Sequence, residues 1–67
     1  MKLYLLREFR KKKAITQIEV AEILKINNGT YAKYERGERI PNIQKLMTIF
    51  RILELSKNQC REILDLN

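Results

Sequence analysis

The side chains of this sequence favour the binding of an anion over catalysis. The chain has fourteen Lys or Arg residues against eight Asp or Glu, a net charge of +6, and no His. Its single cysteine, Cys60, has no His or second Cys with which to share a metal ion. No base stands beside Cys60 or a Ser, and no glycine-rich phosphate loop is present. We therefore expect no enzyme activity, no metal, no cofactor and no small-molecule ligand.

The positive charge is concentrated in the first two-thirds of the chain. Residues 1–45 contain eleven Lys or Arg and five Glu, a net charge of +6, whereas residues 46–67 contain three of each sign. This asymmetry indicates either a polyanionic partner on one face or a solvated, solubilising surface. No apolar run approaches the ~20 residues that span a membrane, and the apolar start is too short for a signal peptide. We expect no membrane partner and a cytoplasmic location.

Apolar residues recur at three- and four-residue steps and no segment alternates like a strand, which predicts an all-α fold. We expect five short helices, the first at about 2–13 and the last at about 57–65. Cap residues mark the starts of the later helices: Thr16 with Glu19, Asn27, Asn42, and Ser56 with Gln59. Gly37 should end the third helix, whereas Lys25 and Glu54 stand at helix ends that usually prefer glycine.

The predicted core of this single domain, residues 1–67, draws on the first four helices. It comprises Leu6, Phe9, Val20, Ala21, Leu24, Ile26, Tyr31, Leu46, Ile49, Phe50 and Leu53. Ile43 and Met47 are expected to point inward as well, whereas Ile18 and Ile23 are interpreted as isolated surface residues. A chain this short buries only about 60% of its unfolded surface, so a partner subunit is one usual support.

A helix-turn-helix unit is predicted at about residues 16–36, where the small Ala21 lets two helices approach and Ile26 fills the turn. A wider set of residues resembles the Cro/C1-type repressor (XRE) family: Arg10, Thr16-Gln17, Val20-Ala21, Tyr34-Glu35-Arg36-Gly37 and Pro41. The resemblance covers about residues 3–55. It implies a five-helix, lambda-repressor-like DNA-binding domain of the bacterial or phage type, associated with the nucleoid.

The resemblance also implies which side chains contact DNA, with the third helix, about 28–36, as the recognition helix in the major groove. Asn28 suits adenine, Thr30 a thymine methyl group, and Lys33 a guanine or a phosphate. Phosphate contacts are expected from Gln17, Asn27, Arg36 and Arg39. For each of these residues the alternative is a solvated polar surface. Tyr31 and Tyr34 suit either the core or base stacking, and their helical spacing favours the core.

Two positions depart from the family pattern. Lys25 replaces the usual turn glycine, and Gly29 occupies a helix position that often carries a base-contacting side chain. A glycine there either lets the backbone approach the DNA or loosens the helix by about 1 kcal/mol. These departures bear on the geometry of the turn and of the recognition helix.

Two further contacts are expected. The resemblance implies an ion pair between Arg10 and Glu35, which a bidentate guanidinium–carboxylate geometry suits, the alternative being two exposed charges. Residues 46–67 have no net charge yet keep apolar side chains after the fourth helix has completed the core. An exposed apolar strip usually marks an interface. We therefore expect a homodimer through the last helix, using Leu55, Cys60, Ile63 and Leu64.

The expected function is sequence-specific binding of double-stranded DNA by a transcriptional regulator, a repressor or a Cro-like or controller switch. A two-fold dimer would place two recognition helices about 34 Å apart on a palindromic operator. The alternative comes from another class: a protein-interaction module, such as a helical adaptor or antitoxin-like partner with another acidic target. The basic, polar residues 27–39 favour the DNA duplex.

Overall fold

The residues that the structure describes form five α-helices and no strand. The structure is a computed structural model, and it describes residues 1–66. Asn67, the last residue of the predicted domain, lies outside the described residues. The helices are α1 (Leu5–Lys12), α2 (Gln17–Leu24), α3 (Asn28–Arg36), α4 (Ile43–Ile52) and α5 (Lys57–Leu64). None of them has the length and apolar character needed to cross a membrane. The predicted all-α, five-helix fold is confirmed.

The helices begin at the predicted caps. The Thr16 hydroxyl accepts a hydrogen bond from the Glu19 backbone N–H at 3.1 Å, and the Glu19 carboxylate accepts one from the Thr16 backbone N–H at 3.0 Å. Ser56 and Gln59 form the same reciprocal pair at the start of α5, and the Asn42 side chain caps α4. These bonds satisfy N–H groups that a helix start leaves without an intrahelical partner.

Residues in the left-handed region end several of the helices. Gly37 ends α3 with a φ of 73°, as predicted. Lys25 and Glu54 have φ values of 57° and 52°, so these two helix ends adopt the left-handed conformation although they lack a glycine. Ala14 and Asp65, which the sequence pattern did not single out, have φ values of 56° and 62°. For a residue with a Cβ, the left-handed conformation costs roughly 1–2 kcal/mol of folding free energy. These four residues adopt it because the connections between the helices are short.

The first helix is shorter than predicted. It begins at Leu5 rather than near residue 2, because the preceding residues form a turn against α5. The Lys2 backbone N–H donates a 2.7 Å hydrogen bond to the Ile63 carbonyl in the last turn of α5, and Leu3 is buried beside the core. The contact satisfies a carbonyl that the helix end leaves free. A local sequence pattern does not reveal such a contact.

The buried side chains form one core shared by all five helices. α2 packs against α3 and α4, and α1 packs against α3. Of the predicted core residues, Leu24 and Ile26 are half-buried and the others are buried. Leu3, Leu5, Tyr34 and Ile63 are also buried, so α5 contributes to the core that the sequence analysis drew from four helices.

Two residues of α4 are placed differently from the prediction. The expectation that Ile43 and Met47 point inward is wrong, since their exposed fractions are 67% and 46%. α4 instead buries the stripe formed by Leu46, Ile49 and Phe50. Ile43 and Met47 lie at the edge of that stripe, and a helix packed on one side covers only its central residues.

Candidate nucleic-acid interface

The helix-turn-helix unit consists of α2, the turn at residues 25–27 and α3. Val20 and Ala21 are buried in α2, which packs against α3, and Ile26 is half-buried in the turn. The Ile26 backbone N–H donates to the Ala21 carbonyl at 3.0 Å, which closes α2 around the left-handed Lys25. The small Ala21 side chain allows α2 and α3 to pack closely, and this packing fixes which side of α3 faces outward.

The outer side of α3 is polar. Asn28 and Lys33 are exposed and Thr30 is half-buried, so the three residues predicted to contact bases are all at the surface. Within residues 1–66 none of their side chains takes part in a hydrogen bond or a salt bridge. Their donors and acceptors are therefore free for a ligand.

A glycine lies next to the side chain that caps α3. The Asn27 side-chain oxygen accepts a hydrogen bond from the Gly29 backbone N–H at 2.7 Å, which leaves the Asn27 amide nitrogen free at the positive helix end. A Cβ added at Gly29 would lie 3.0 Å from that oxygen, closer than ordinary van der Waals contact. Gly29 therefore accommodates the cap and leaves bare backbone between Asn28 and Thr30.

A buried ion pair joins α1 to the last turn of α3. The Arg10 guanidinium donates from Nε to Glu35 Oε2 at 2.7 Å and from Nη2 to Oε1 at 3.1 Å, a bidentate geometry. Arg10 Nη1 donates to the Ile15 carbonyl at 2.9 Å. Burial by itself raises the pKa of Glu35, but hydrogen bonds from Arg10 and Gln17 outweigh it and hold that pKa below its usual value. The implied pair is therefore present, and both of its charges are buried.

The structure gives Gln17 a role that the sequence analysis missed. Its Nε2 donates to Glu35 Oε1 at 2.9 Å, so one of the two amide hydrogens supports the ion pair. The side chain is half-buried. Gln17 is also the first residue of α2, where the backbone N–H has no intrahelical acceptor and points out of a positive helix end. A phosphate at this position would meet the backbone N–H of Gln17 as well as its remaining amide hydrogen.

The two arginines predicted to bind phosphate after α3 differ in their surroundings. Arg36 donates to the Glu38 carboxylate from Nε at 2.5 Å and from Nη2 at 3.3 Å, and both side chains are exposed. This contact raises the pKa of Arg36 and lowers that of Glu38. Arg39 is exposed and makes no salt bridge within residues 1–66. Arg39 is thus the more available of the two cations for an external anion.

The two tyrosines of α3 belong to the core. Tyr31 and Tyr34 are 0% and 4% exposed, and their rings meet edge to face with centroids 6.3 Å apart. Burial, followed by the nearby charge of Glu35, raises the pKa of Tyr31 well above its usual range. Its hydroxyl is buried without a hydrogen-bond partner among residues 1–66. Neither ring is accessible for stacking on a base.

The geometry of the unit agrees with comparison to known proteins. A helix-turn-helix family model matches residues 6–59. The chain belongs to the Cro/C1-type helix-turn-helix family. It is 39% identical over 51 residues to the "Uncharacterized HTH-type transcriptional regulator YqaE" of Bacillus subtilis (strain 168). This match covers 76% of the chain but 44% of that protein, so the chain spans less than half of its relative's length. No solved structure matches the chain.

The family consists of DNA-binding transcriptional regulators and is not a class of enzymes.

In this helix-turn-helix chain, the apolar residues of α5 are more deeply buried than the sequence predicts. Ile63 is 0% exposed, so its predicted place in a dimer interface is corrected to one in the core. Leu55, Cys60 and Leu64 are half-buried against that core, and burial raises the pKa of the Cys60 thiol. The N-terminal turn at Lys2 accounts for part of this cover, since it is bonded to α5.

The helix-turn-helix domain also has a cleft that the sequence analysis missed. It lies between α1, the N-terminal end of α2 and both ends of α3, with a volume of about 940 Å³. Arg7 and Lys11 line it from α1, together with Tyr4, the residue just before α1. Their spacing of three and four residues puts them on one side of a helix, and this signal was present in the sequence.

Proposed function

We propose that this protein is a sequence-specific regulator of transcription that inserts α3 into the major groove of double-stranded DNA. One observation carries the proposal. A rigid helix-turn-helix unit presents Asn28, Thr30 and Lys33 on its outer side with no internal hydrogen-bond or salt-bridge partner among residues 1–66. Side chains of these types match the donor and acceptor patterns of base edges. Such a protein acts where the DNA is, so we expect it in the cytoplasm, on the nucleoid.

The base contacts follow from the side chains. Asn28 suits the N6 and N7 atoms of adenine, and the methyl group of Thr30 suits that of thymine. Lys33 lies five residues after Asn28, farther along the helix, where a guanine or a phosphate is within reach of its long side chain. Gly29 leaves room for the backbone of α3 to approach the duplex between these contacts.

Phosphate contacts flank the recognition helix on both sides. The start of α2 offers the backbone N–H of Gln17, and the start of α3 offers the amide of Asn27. The loop after α3 offers Arg39, and Arg36 once it exchanges Glu38 for a phosphate. Contacts of this kind fix the position of a protein on the duplex without specifying sequence.

We further propose that the protein acts as a homodimer on a palindromic operator and represses transcription by occupying a promoter. One recognition helix contacts too few base pairs for a useful ratio of specific to non-specific binding, whereas two half-sites multiply it. The proposed interface comprises Cys60 and Leu64 on α5 and Leu55 in the turn before it. An exposed apolar patch on α4, Ile43 with Met47, is the competing surface.

The rival hypothesis is a protein-interaction module whose basic face binds another acidic target. Selection of bound fragments from a random double-stranded DNA pool separates the two. We expect enrichment of one palindromic sequence whose half-site centres are separated by about ten base pairs or a multiple of that distance. Failure to enrich any duplex, with the protein folded by circular dichroism, would contradict DNA recognition and favour the rival.

Lys33→Ala and Arg39→Ala should both weaken binding to the selected operator, but in different ways. If Lys33 contacts a base, its loss costs about 1–3 kcal/mol, roughly 5- to 150-fold in Kd, and relaxes specificity at one position. Loss of Arg39 should weaken binding to all sequences alike and reduce the salt dependence by about one ion for each bound subunit. Fluorescence anisotropy against the operator and single-base variants at several salt concentrations makes the distinction. A uniform loss for Lys33→Ala would identify Lys33 as a phosphate contact.

A further inference from the structure

The cleft between α1 and the helix-turn-helix unit has a cationic wall on the α1 side. Tyr4 at the start of α1 and Arg7 and Lys11 within it are all exposed and follow one another at helical spacing. Arg7 and Lys11 form no salt bridge within residues 1–66, although α1 also carries Glu8. Two unneutralised cations on one wall attract an anion into the cleft.

The acidic group that lines this cleft does not cancel that attraction. Glu35 is held by two hydrogen bonds from Arg10 and one from Gln17, and its side chain is 2% exposed. Its charge is therefore compensated within the protein. Arg36, which also lines the cleft, adds a further guanidinium, although it contacts Glu38.

The cleft is continuous with the surface proposed to bind DNA. Gln17 and Asn28 line it from the starts of α2 and α3, and both belong to that surface. A phosphodiester backbone that contacts the N-terminus of α2 can therefore continue along α1 past Lys11 and Arg7. The Tyr4 hydroxyl can donate a hydrogen bond to a phosphate oxygen at the far end.

We propose that the α1 wall of this cleft binds the DNA backbone beyond the half-site that α3 contacts. This inference rests on the proposed function and extends it. It assigns Arg7 and Lys11 to phosphates of the flanking duplex, with Tyr4 as an additional donor. The contact lengthens the bound DNA without adding base specificity, because phosphates carry no sequence information.

The test is the double variant Arg7→Ala/Lys11→Ala, compared with Lys12→Ala/Arg51→Ala, which removes the same charge from exposed residues outside the cleft and outside α5. On a duplex that extends several base pairs beyond the operator, the α1 variant should lower the salt dependence by about two ions for each bound subunit, or about four for the dimer. Between 50 and 200 mM salt, the loss of affinity of the dimeric variant should then be roughly a hundredfold smaller than the loss shown by the unmodified protein. On a duplex trimmed to the half-sites, the two proteins should show similar salt dependence. Arg7→Lys/Lys11→Arg should retain the original dependence.

Three results would overturn the inference while leaving the proposed function intact. These are an unchanged salt dependence in the Arg7→Ala/Lys11→Ala protein, an equal reduction in the Lys12→Ala/Arg51→Ala control, and an equal reduction on trimmed and extended duplexes. The failure of the proposed function has a different signature, since the unmodified protein would then select no duplex at all. Circular dichroism of each variant verifies that the exposed substitutions leave the helices in place.

Discussion

Glu35→Ala is expected to unfold much of the protein at room temperature. Removing one partner of a buried ion pair typically costs 3–5 kcal/mol, because the other charge stays buried without compensation. Arg10 is the charge left behind, since its Nε and Nη2 both bond to Glu35. A domain of this size has a total stability of only about 3–10 kcal/mol. Urea denaturation followed by circular dichroism should show the midpoint fall to low or zero denaturant.

Two variants serve as controls for the ion pair. Arg10→Met/Glu35→Leu removes both charges, so it should recover much of the stability that Glu35→Ala loses, at the cost of the bonds to Ile15 and Gln17. Glu38→Ala removes an exposed carboxylate that also pairs with an arginine, and it should leave the midpoint nearly unchanged. Equal midpoints for Glu35→Ala and Glu38→Ala would show that the buried ion pair contributes no more to the free energy of unfolding than the exposed one.

The same pair makes stability depend on pH. The pKa of Glu35 is lowered in the folded protein, because the Arg10 and Gln17 hydrogen bonds overcome the effect of burial. Its contribution to stability is therefore complete above the unfolded pKa of about 4.3 and is lost as the pH falls through the folded-state pKa. Denaturation midpoints between pH 7 and pH 3 should fall more steeply for the unmodified protein than for Arg10→Met/Glu35→Leu. Parallel curves would assign the acid sensitivity to other carboxylates.

Ile63→Glu is the second change with a large expected effect, and it should unfold the chain rather than merely separate two subunits. Ile63 is fully buried, and its carbonyl accepts the Lys2 backbone N–H. Loss of an apolar side chain from such a site costs about 2–5 kcal/mol, and a buried charge adds to that cost. Far-UV circular dichroism should show loss of helix. A folded Ile63→Glu monomer would restore the view that this residue is an interface residue.

Leu64→Glu is the matched comparison, since it changes a half-buried residue on the same helix. If α5 forms the dimer, this protein should keep its helices, sediment as a monomer of about the 8.1 kDa chain mass and lose cooperative operator binding. Met47→Glu places the same charge in the competing apolar patch on α4 and should leave the dimer intact. The reverse pattern, with Met47→Glu monomeric and Leu64→Glu dimeric, would move the interface to α4.

The sequence by itself determined the features of this protein that depend on neighbouring residues. Helix starts at Thr16, Asn27 and Ser56 follow from side chains that bond to backbone N–H groups two or three residues away. The left-handed conformations of Lys25 and Glu54 follow from where apolar periodicity stops. Most of the core follows from that periodicity too, and the helix-turn-helix pattern indicated the family that the comparison then showed.

Only the tertiary structure decided which surfaces remain open. It buried Ile63 in the core and left Met47 exposed, because the burial of a side chain depends on which helices pack together and not on spacing within one helix. It directed the Gln17 amide to Glu35, eighteen residues away, and it brought Arg7 beside the starts of α2 and α3. Such contacts join residues that are far apart in the sequence. Side-chain types and local periodicity do not show which of these residues meet in the folded protein.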